Sequence, residues 1–153
     1  MNEIPQHFYF YVQGYFTIDC DMPYDEIVTT PGAMIVSPNY PDDYENNQDC
    51  EITIRFATRI RLIFLAFDVE ENYPNCTYDY LRIFDGPSSS SPSLFSQGNL
   101  CGSTIPHSMV STGNTIRILF HTDSSTVEGG FKIQAEAYDG GKTTYVLIRQ
   151  SIE

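Results

Sequence analysis

Short segments in which apolar and polar residues alternate dominate this chain, and they predict β-strands. Residues 52–56 and 131–137 alternate over their whole length, as half-buried strands do. Residues 116–120 and 60–67 are more densely apolar, and the second segment predicts a central strand that is covered on both faces. No stretch of a dozen residues combines the 3.6-residue period of an amphipathic helix with helix caps. The pattern therefore predicts an all-β domain.

Residues 79–84 form a further predicted strand, and its two faces differ in chemistry. Alternation places Asp79 on the same face as Leu81 and Ile83. Because these two apolar neighbours belong to the interior, we expect Asp79 to tilt toward the interior at the start of the strand.

Turn signals separate the predicted strands. Residues 88–93 are a Ser/Pro-rich stretch that is typical of a loop. Short strands at this spacing predict an antiparallel two-sheet β-sandwich or jelly roll. The Gly- and Pro-containing turns lie at residues 30–32, 37–41, 85–87, 129–130 and 140–141.

The two ends of the chain are predicted to be arms on a central domain. Residues 8–18 are aromatic and apolar, but no basic residue precedes them and no small-residue cleavage site follows, so they predict a strand or docking arm rather than a signal remnant. Residues 144–148 predict one more strand, in this fold or in a neighbouring domain. No apolar run reaches the roughly 18 residues of a membrane span. The expected organisation is an N-terminal arm over 1–19, a domain over 20–138 and a C-terminal arm over 139–153.

The charge of the chain is strongly acidic. Twenty Asp and Glu residues face eight Lys and Arg residues among 153, a formal net charge of −12, and residues 1–54 contain no Lys or Arg at all. Nucleic acids and anionic membranes both require a cationic surface, so neither is an expected partner. The composition suits cations or basic partners.

Four cysteines, at positions 20, 50, 76 and 101, indicate an oxidising compartment. Their spacing is wide and contains no C-x-x-C, which argues against a zinc cluster. Two disulfides between neighbours in sequence are one of three possible connectivities. Asn75-Cys76-Thr77 is an N-glycosylation sequon, which functions only in the secretory pathway. We therefore expect a secreted glycoprotein with disulfide bonds.

An ordered series of motifs over residues 20–138 resembles the CUB domain family. Cys20 opens the series, and every later motif follows in the family's order. In chain order they are Gly32, Ile35-Val36-Ser37-Pro38-Asn39-Tyr40-Pro41, Tyr44 ahead of Asn46, Asn47 and Cys50, Phe67-Asp68-Val69-Glu70, Cys76-Thr77-Tyr78-Asp79-Tyr80-Leu81, Asp85-Gly86, Leu100-Cys101-Gly102, Phe120-His121-Thr122-Asp123-Ser124-Ser125 and Gly130-Phe131.

The resemblance implies a compact two-sheet β-sandwich with disulfides Cys20–Cys50 and Cys76–Cys101. It also implies an extracellular module without catalysis of its own, which binds protein partners and in many members holds a calcium ion. The chain departs from the family's usual pattern in three places. Asp21 follows the first cysteine where Gly is usual, Ile52 occupies the place of a Trp, and the loop before the third cysteine is one residue longer than usual.

The resemblance also implies a set of calcium ligands. Calcium prefers six to eight oxygen ligands, largely carboxylates and carbonyls. Asp79 and Asp123 match two acidic ligands of the family without ambiguity. The third is either Glu70, which directly follows the Phe-Asp-Val motif, or Glu71, which stands at the family's usual distance from Cys76. Motif register favours Glu70, and the choice stays open at this point.

Two further residues complete the predicted site, and they lead to a functional hypothesis. Ser125 is expected to add a backbone carbonyl, and Tyr44 resembles the tyrosine that orients the glutamate. The expected function is binding of a Lys or Arg side chain of an extracellular protein at a calcium-ordered acidic site. The alternatives are a calcium-independent, carbohydrate-binding or coat-type CUB domain and a spacer module of a larger secreted protease or receptor.

Enzyme functions find little support in the sequence. His121 lies near Asp123, and a His-Ser pair occupies 107–108, but no G-x-S-x-G nucleophile motif and no H-E-x-x-H zinc motif is present. Glu70 and Asp79 could imitate a glycosidase pair, yet no aromatic-lined cleft can be argued from the sequence. We therefore expect no catalytic activity, and an ordinary exposed histidine at the end of a strand.

Overall fold

The computed structural model describes residues 15–21 and 27–140, and these residues form ten β-strands and no helix. The strands are β1 Tyr15–Thr17, β2 Ile27–Val28, β3 Ala33–Val36, β4 Asp49–Arg55, β5 Arg59–Asp68, β6 Tyr80–Phe84, β7 Asn99–Leu100, β8 Met109–Val110, β9 Thr115–His121 and β10 Gly130–Tyr138. A helix of the length and apolarity needed to cross a membrane is absent from the described part of the chain.

The strands form two five-stranded sheets that together make a β-sandwich. Sheet A has the order β1-β3-β10-β5-β8, and sheet B has the order β2-β4-β9-β6-β7. The pairings around β10 and β9 are antiparallel, as predicted, whereas β1 pairs with β3 and β2 pairs with β4 in parallel. Each parallel pair is joined through a strand of the opposite sheet, which supplies the crossover that a parallel connection needs. The sandwich predicted from the sequence is confirmed, with parallel pairing at one edge of each sheet.

The core lies between the two sheets and follows the period of two that the sequence showed. Ile52, Ile118 and Ile133 are fully buried on β4, β9 and β10, and the residues on either side of Ile118 and Ile133 are partly exposed. On β4 the alternation is less regular, because Thr53 is buried as well. Ile52 stands where the resemblance led us to expect a larger Trp, and it is nevertheless part of the core. Asp79 has no exposed surface and precedes the buried Leu81, so its predicted inward tilt is confirmed.

Strand β5 has only one buried face, so the prediction that residues 60–67 are covered on both sides is wrong. Ile60 and Leu62 are fully buried, whereas Leu65 keeps 43% of its surface exposed on the other face. In a sandwich of two layers each sheet buries one face, and the outer face remains in contact with water. An uninterrupted apolar run therefore did not indicate a third layer.

One end of the sandwich collects the loops that matter for function, and we call it the acidic end. It consists of the β3–β4 loop (37–48), the β5–β6 loop (69–79) and the β9–β10 loop (122–129). Both disulfides, Cys20–Cys50 and Cys76–Cys101, lie beside these loops, with Cα–Cα distances of 3.9 and 5.5 Å. They have the connectivity that the resemblance implied. The first ties the segment after β1 to β4, and the second ties the β5–β6 loop to the residue that follows β7 at the edge of sheet B.

The structure also bears on the expected domain boundaries. Tyr15–Thr17 pairs with β3, and Asp19 forms a bridge with Glu51. This part of the expected N-terminal arm therefore pairs with strands of the sandwich, and the domain bounds at residues 20 and 138 stay a prediction. The predicted strand at 144–148 and the first fourteen residues of the aromatic arm lie outside the described residues.

Candidate metal centre

Asp79 is the centre of the acidic end, because it is fully buried and fixed by two loops at once. Its Oδ1 accepts a hydrogen bond of 2.7 Å from the backbone N–H of Asp123, and its Oδ2 accepts one of 2.8 Å from the hydroxyl of Tyr44. The first bond comes from the β9–β10 loop and the second from the β3–β4 loop. The carboxylate is therefore held in one orientation.

Tyr44 connects this carboxylate to the start of its own loop, the β5–β6 loop. The phenol donates to Asp79 and accepts a hydrogen bond of 3.0 Å from the backbone N–H of Glu70. Its ring is buried and packs edge-on against Phe120, with the ring centroids 5.1 Å apart. Burial raises the pKa of Tyr44 far above its usual value, so the phenol stays protonated and can donate. Tyr44 therefore bonds to Asp79 and to the backbone of Glu70, and the orienting role expected from the resemblance stays a prediction.

Three carboxylates converge at this point. Oxygens of Glu70, Asp79 and Asp123 all lie within 4.8 Å of one another. Ligands that share one calcium ion at about 2.4 Å lie at most about 5 Å apart, so this spacing matches a single ion. The Oε2 atom of Glu70 is buried and has no hydrogen-bond partner among the described residues. Such an atom loses water without gaining a donor, and a cation would supply the missing interaction.

The electrostatics of the cluster show the same deficit of positive charge. Burial raises the pKa of Asp79, and the negative charge of Asp123 adds to this effect, while the hydrogen bonds from Asp123 and Tyr44 lower it. Burial also raises the pKa of Glu70, followed by the negative charges of Asp79 and Asp123. Carboxylates that are buried together resist ionisation unless a positive charge joins them. The donor set and its charge therefore fit a hard divalent cation.

The β5–β6 loop decides which of the two adjacent glutamates enters the cluster. The backbone N–H of Cys76 donates a hydrogen bond of 2.7 Å to the carbonyl of Asn72, which closes a turn after the glutamates. Glu70 lies beside Asp79 in the cluster, whereas Glu71 is exposed and lies outside the cluster.

The β9–β10 loop brings two further residues to the site that sequence reasoning missed. The hydroxyl of Thr126 interacts with Glu70, and the negative charge of Glu128 acts on both Glu70 and Tyr44. Thr126 has a positive φ of 62°, which a sequence pattern does not reveal for a threonine. Ser125, which was predicted to add a carbonyl, donates its backbone N–H to Asp123 Oδ1 at 3.0 Å.

His121 lies near the carboxylate cluster but interacts with other residues. His121 ends β9, and its Nδ1 lies 2.6 Å from Asp49 Oδ1 while its ring stacks on Tyr80 at 5.0 Å. It is half-buried rather than fully exposed. The His-Ser pair at 107–108 is exposed on a loop. In the described residues neither histidine is seen to activate a serine.

The sequon at Asn75 lies on the surface of the same loop. Asn75 and Thr77 are exposed, whereas Cys76 between them is buried in its disulfide. The hydroxyl of Thr77 accepts a hydrogen bond of 3.1 Å from the side chain of Asn72. The asparagine is therefore accessible to a glycan a few residues from the carboxylate cluster.

Comparison with known proteins is consistent with this geometry. The family model of the CUB domain matches residues 20–135. The chain is 37% identical over 120 residues to human Tolloid-like protein 1, which covers 77% of this chain and 12% of that protein. It is 36% identical over 115 residues to human Tumor necrosis factor-inducible gene 6 protein, which covers 74% of this chain and 40% of that protein. The chain thus spans less than half of the length of either relative.

Solved structures agree with these relatives. The crystal structure of the MASP-1 CUB2 domain bound to Ca2+ matches with a TM-score of 0.63 and 28% identity, over 73% of this chain and 97% of that chain. CUB domains are non-catalytic protein-interaction modules of extracellular proteins. The match covers most of the chain and includes both disulfides and all three converging carboxylates, so the chain belongs to the CUB domain family.

Proposed function

We propose that this chain is a calcium-dependent interaction module of a secreted protein, in which a calcium-ordered acidic site binds a Lys or Arg side chain of a protein partner. The observation that carries the proposal is the convergence of Glu70, Asp79 and Asp123, with Asp79 fully buried and one oxygen of Glu70 unpartnered. The calcium complex of the MASP-1 CUB2 domain, which shares this fold, supports the choice of ion.

Each residue has a distinct role in this proposal. Asp79, Glu70 and Asp123 are the carboxylate ligands, and Ser125 supports the last of them through its backbone. Calcium would supply the positive charge that permits all three carboxylates to remain ionised. The ligands come from the β5–β6 and β9–β10 loops, and Tyr44 is hydrogen-bonded to both loops. Binding of calcium would therefore hold these loops in a single arrangement.

The partially exposed carboxylates would then accept the partner's side chain. Glu70 and Asp123 are each partly open to solvent, unlike Asp79. A charge-assisted hydrogen bond from a lysine or arginine contributes about 1.5–3 kcal/mol. One domain alone would therefore bind weakly, and several linked modules would raise the affinity through effective concentration.

The side-chain specificity can be tested by NMR titration of the oxidised domain with acetyl-lysine methylamide, in which the α-amino group is acetylated and the side-chain ammonium group is free. We expect chemical-shift changes around Glu70 and Asp123 in calcium, and none when EDTA replaces calcium. The matched probe is acetyl-norleucine methylamide, which has a similar aliphatic chain without the ammonium group. Equal responses to the two probes, or a lysine response that survives EDTA, would contradict the proposed site.

A second candidate function rests on two exposed tyrosines of the same loop. Tyr73 and Tyr78 keep 55% and 50% of their surface exposed, and the hydroxyl of Tyr73 is fixed by a hydrogen bond of 2.8 Å to the carbonyl of Cys101. Fixed, exposed aromatic rings can stack on sugars. Such carbohydrate binding would be independent of calcium, so EDTA distinguishes it from the first proposal.

We further propose that Asn75 carries an N-linked glycan in the secreted protein. The two disulfides fit an oxidising compartment, and the sequon is exposed. Secretion from a eukaryotic host should yield a protein whose mass falls on treatment with an N-glycosidase. The variants Asn75→Gln and Thr77→Ala should both lack this mass difference. An unmodified wild-type protein would overturn the assignment.

A further inference from the structure

The two ends of the sandwich differ sharply in charge. The segments 18–21, 37–49, 68–79 and 122–129, which together form the acidic end and its margins, contain twelve Asp and Glu residues and no Lys or Arg. The hairpin between β4 and β5, at the other end, begins and ends with arginines instead. The same end also carries Asp85, Glu136 and Asp139, so its positive charge is confined to the arginines of this hairpin and of the start of β5.

Two arginines at the opposite end converge on one aromatic ring. The guanidinium carbon of Arg61 lies 4.5 Å from the ring centroid of Tyr138, and that of Arg59 lies 5.3 Å from the same centroid. Arg59 also donates from Nε to the carbonyl of Ser111 at 2.8 Å, which fixes the side chain. We call Arg59, Arg61 and Tyr138 the arginine cluster.

The arginine cluster is not neutralised within the described part of the chain. No ion pair there joins Arg59 or Arg61 to a carboxylate. Glu136 lies directly opposite Arg61 in the β10–β5 register, yet the guanidinium stacks on Tyr138 instead of pairing with it. Two guanidinium groups that contact the same ring present donors in the planar geometry that matches carboxylates well.

We propose that the arginine cluster of one molecule occupies the calcium-ordered acidic site of a second copy of this chain. This inference rests on the proposed function and names the partner of that site. Both halves of the contact lie on one chain, at opposite ends, so the association is head-to-tail, which gives an open chain of copies unless the rotation between them closes a ring. Nothing in the geometry requires a two-fold axis.

The net charge of the chain does not forbid this contact. Strand β5 places Asp68 nine residues after Arg59, which at about 3.3 Å per residue corresponds to roughly 30 Å. The Debye length at physiological ionic strength is about 8 Å, so the two ends act nearly independently. Local complementarity therefore decides the contact, and high salt should weaken it.

Sedimentation velocity of the oxidised protein tests the inference over concentrations from micromolar to millimolar. In calcium we expect weak self-association that low salt strengthens and EDTA removes. The double variant Arg59→Ala/Arg61→Ala should lower the association constant by about tenfold or more, equivalent to about 1.4 kcal/mol. The control Arg82→Ala removes one positive charge from an exposed position on the outer face of β6 and should leave association unchanged.

A mixing experiment distinguishes head-to-tail contact from other kinds of association. The double arginine variant keeps its acidic end, and Asp123→Asn keeps its arginine cluster. Each variant alone should associate at least about tenfold more weakly than the wild type, and their mixture in calcium should form a one-to-one complex without larger species. Larger species in the mixture, or association of either variant alone that is as strong as that of the wild type, would overturn the head-to-tail contact.

The failure of this inference differs from the failure of the proposed function. A wild-type protein that binds acetyl-lysine methylamide in calcium but stays monomeric at millimolar concentration overturns only the self-association. A protein that shows no calcium response overturns both. Association that is identical in calcium and EDTA overturns the calcium-ordered contact, even where the arginine variants weaken it.

Discussion

Two aspartates at opposite ends of strand β6 show what makes the acidic end unusual. Asp79 precedes the strand and Asp85 follows it, and each carboxylate accepts one bond from a backbone N–H and one from a hydroxyl. For Asp85 both donors belong to Thr112, at 3.0 and 2.9 Å. For Asp79 they are Asp123 and Tyr44, at 2.7 and 2.8 Å. Hydrogen bonding therefore does not distinguish the two residues.

The difference lies in burial and in neighbouring charge. Asp85 remains partly exposed to water, whereas Asp79 is fully buried beside Glu70 and Asp123. A carboxylate like Asp85 needs no further partner. The cluster around Asp79 lacks positive charge, and this deficit is what makes it a candidate cation site.

The comparison predicts that Asp79→Asn abolishes the stabilisation by calcium and that Asp85→Asn leaves it intact. At calcium concentrations a hundredfold above the dissociation constant, binding to the native state raises the free energy of unfolding by about 2.7 kcal/mol. Asp79→Asn should lose this whole increment, and Asp85→Asn should retain it. Thermal melts in calcium and in EDTA measure both, and the EDTA melt verifies that each variant folds. Equal calcium responses in the two variants would remove the distinction.

Tyr44→Phe should destabilise the fold even without calcium. It leaves Oδ2 of Asp79 and the backbone N–H of Glu70 without their partner, and a buried unsatisfied group costs about 1–3 kcal/mol. Tyr78→Phe is the matched control, because Tyr78 is half exposed. Chemical denaturation in EDTA compares the variants, and similar free energies of unfolding would show that the phenol does not support the cluster.

Glu70→Gln and Glu71→Gln test which of the two adjacent glutamates is a calcium ligand. Glu70 meets Asp79 and Asp123, whereas its neighbour points outside the cluster. We expect Glu70→Gln to weaken calcium binding by about tenfold, or about 1.4 kcal/mol, and Glu71→Gln to have little effect. Calorimetric titration with calcium measures both constants. The reverse order would assign the ligand role to Glu71.

The pH dependence gives the smallest expected effect. The folded-state pKa values of Asp79 and Glu70 are raised, so the folded apo protein binds more protons than the unfolded chain between the ordinary carboxyl pKa of about 4 and the raised values. Stability of the apo protein should therefore fall as pH rises through this window. Calcium should cancel that loss, so the calcium-induced rise in Tm should be larger at neutral pH than near pH 4. Melts across this range would contradict the account if the rise were constant.

The sequence predicted those parts of the site that depend on local period. Alternation alone placed Asp79 on the inner face of β6, because strand side chains repeat every two residues. It did not choose between Glu70 and Glu71, because the choice depends on how the loop before Cys76 absorbs its additional residue. Thr126 and Glu128 were missed because they reach the cluster through a loop whose conformation includes a positive φ.

Similar reasoning explains the errors about the fold. The apolar run of β5 predicted two buried faces, but a run of this kind records hydrophobicity and not the number of layers. The parallel edge pairs depend on chain crossings between the sheets, which no local pattern encodes. The motif order carried the connectivity of the disulfides, which cysteine spacing alone left open.

The most direct test of the central claim is a calorimetric titration of calcium into the EDTA-treated, dialysed wild-type protein, with magnesium in a parallel titration. The account predicts one calcium site per chain and far weaker binding of magnesium, which demands a smaller and more regular ligand shell. Absence of calcium binding to the folded protein would contradict it, and would leave the carboxylates around Asp79 as an uncompensated cluster.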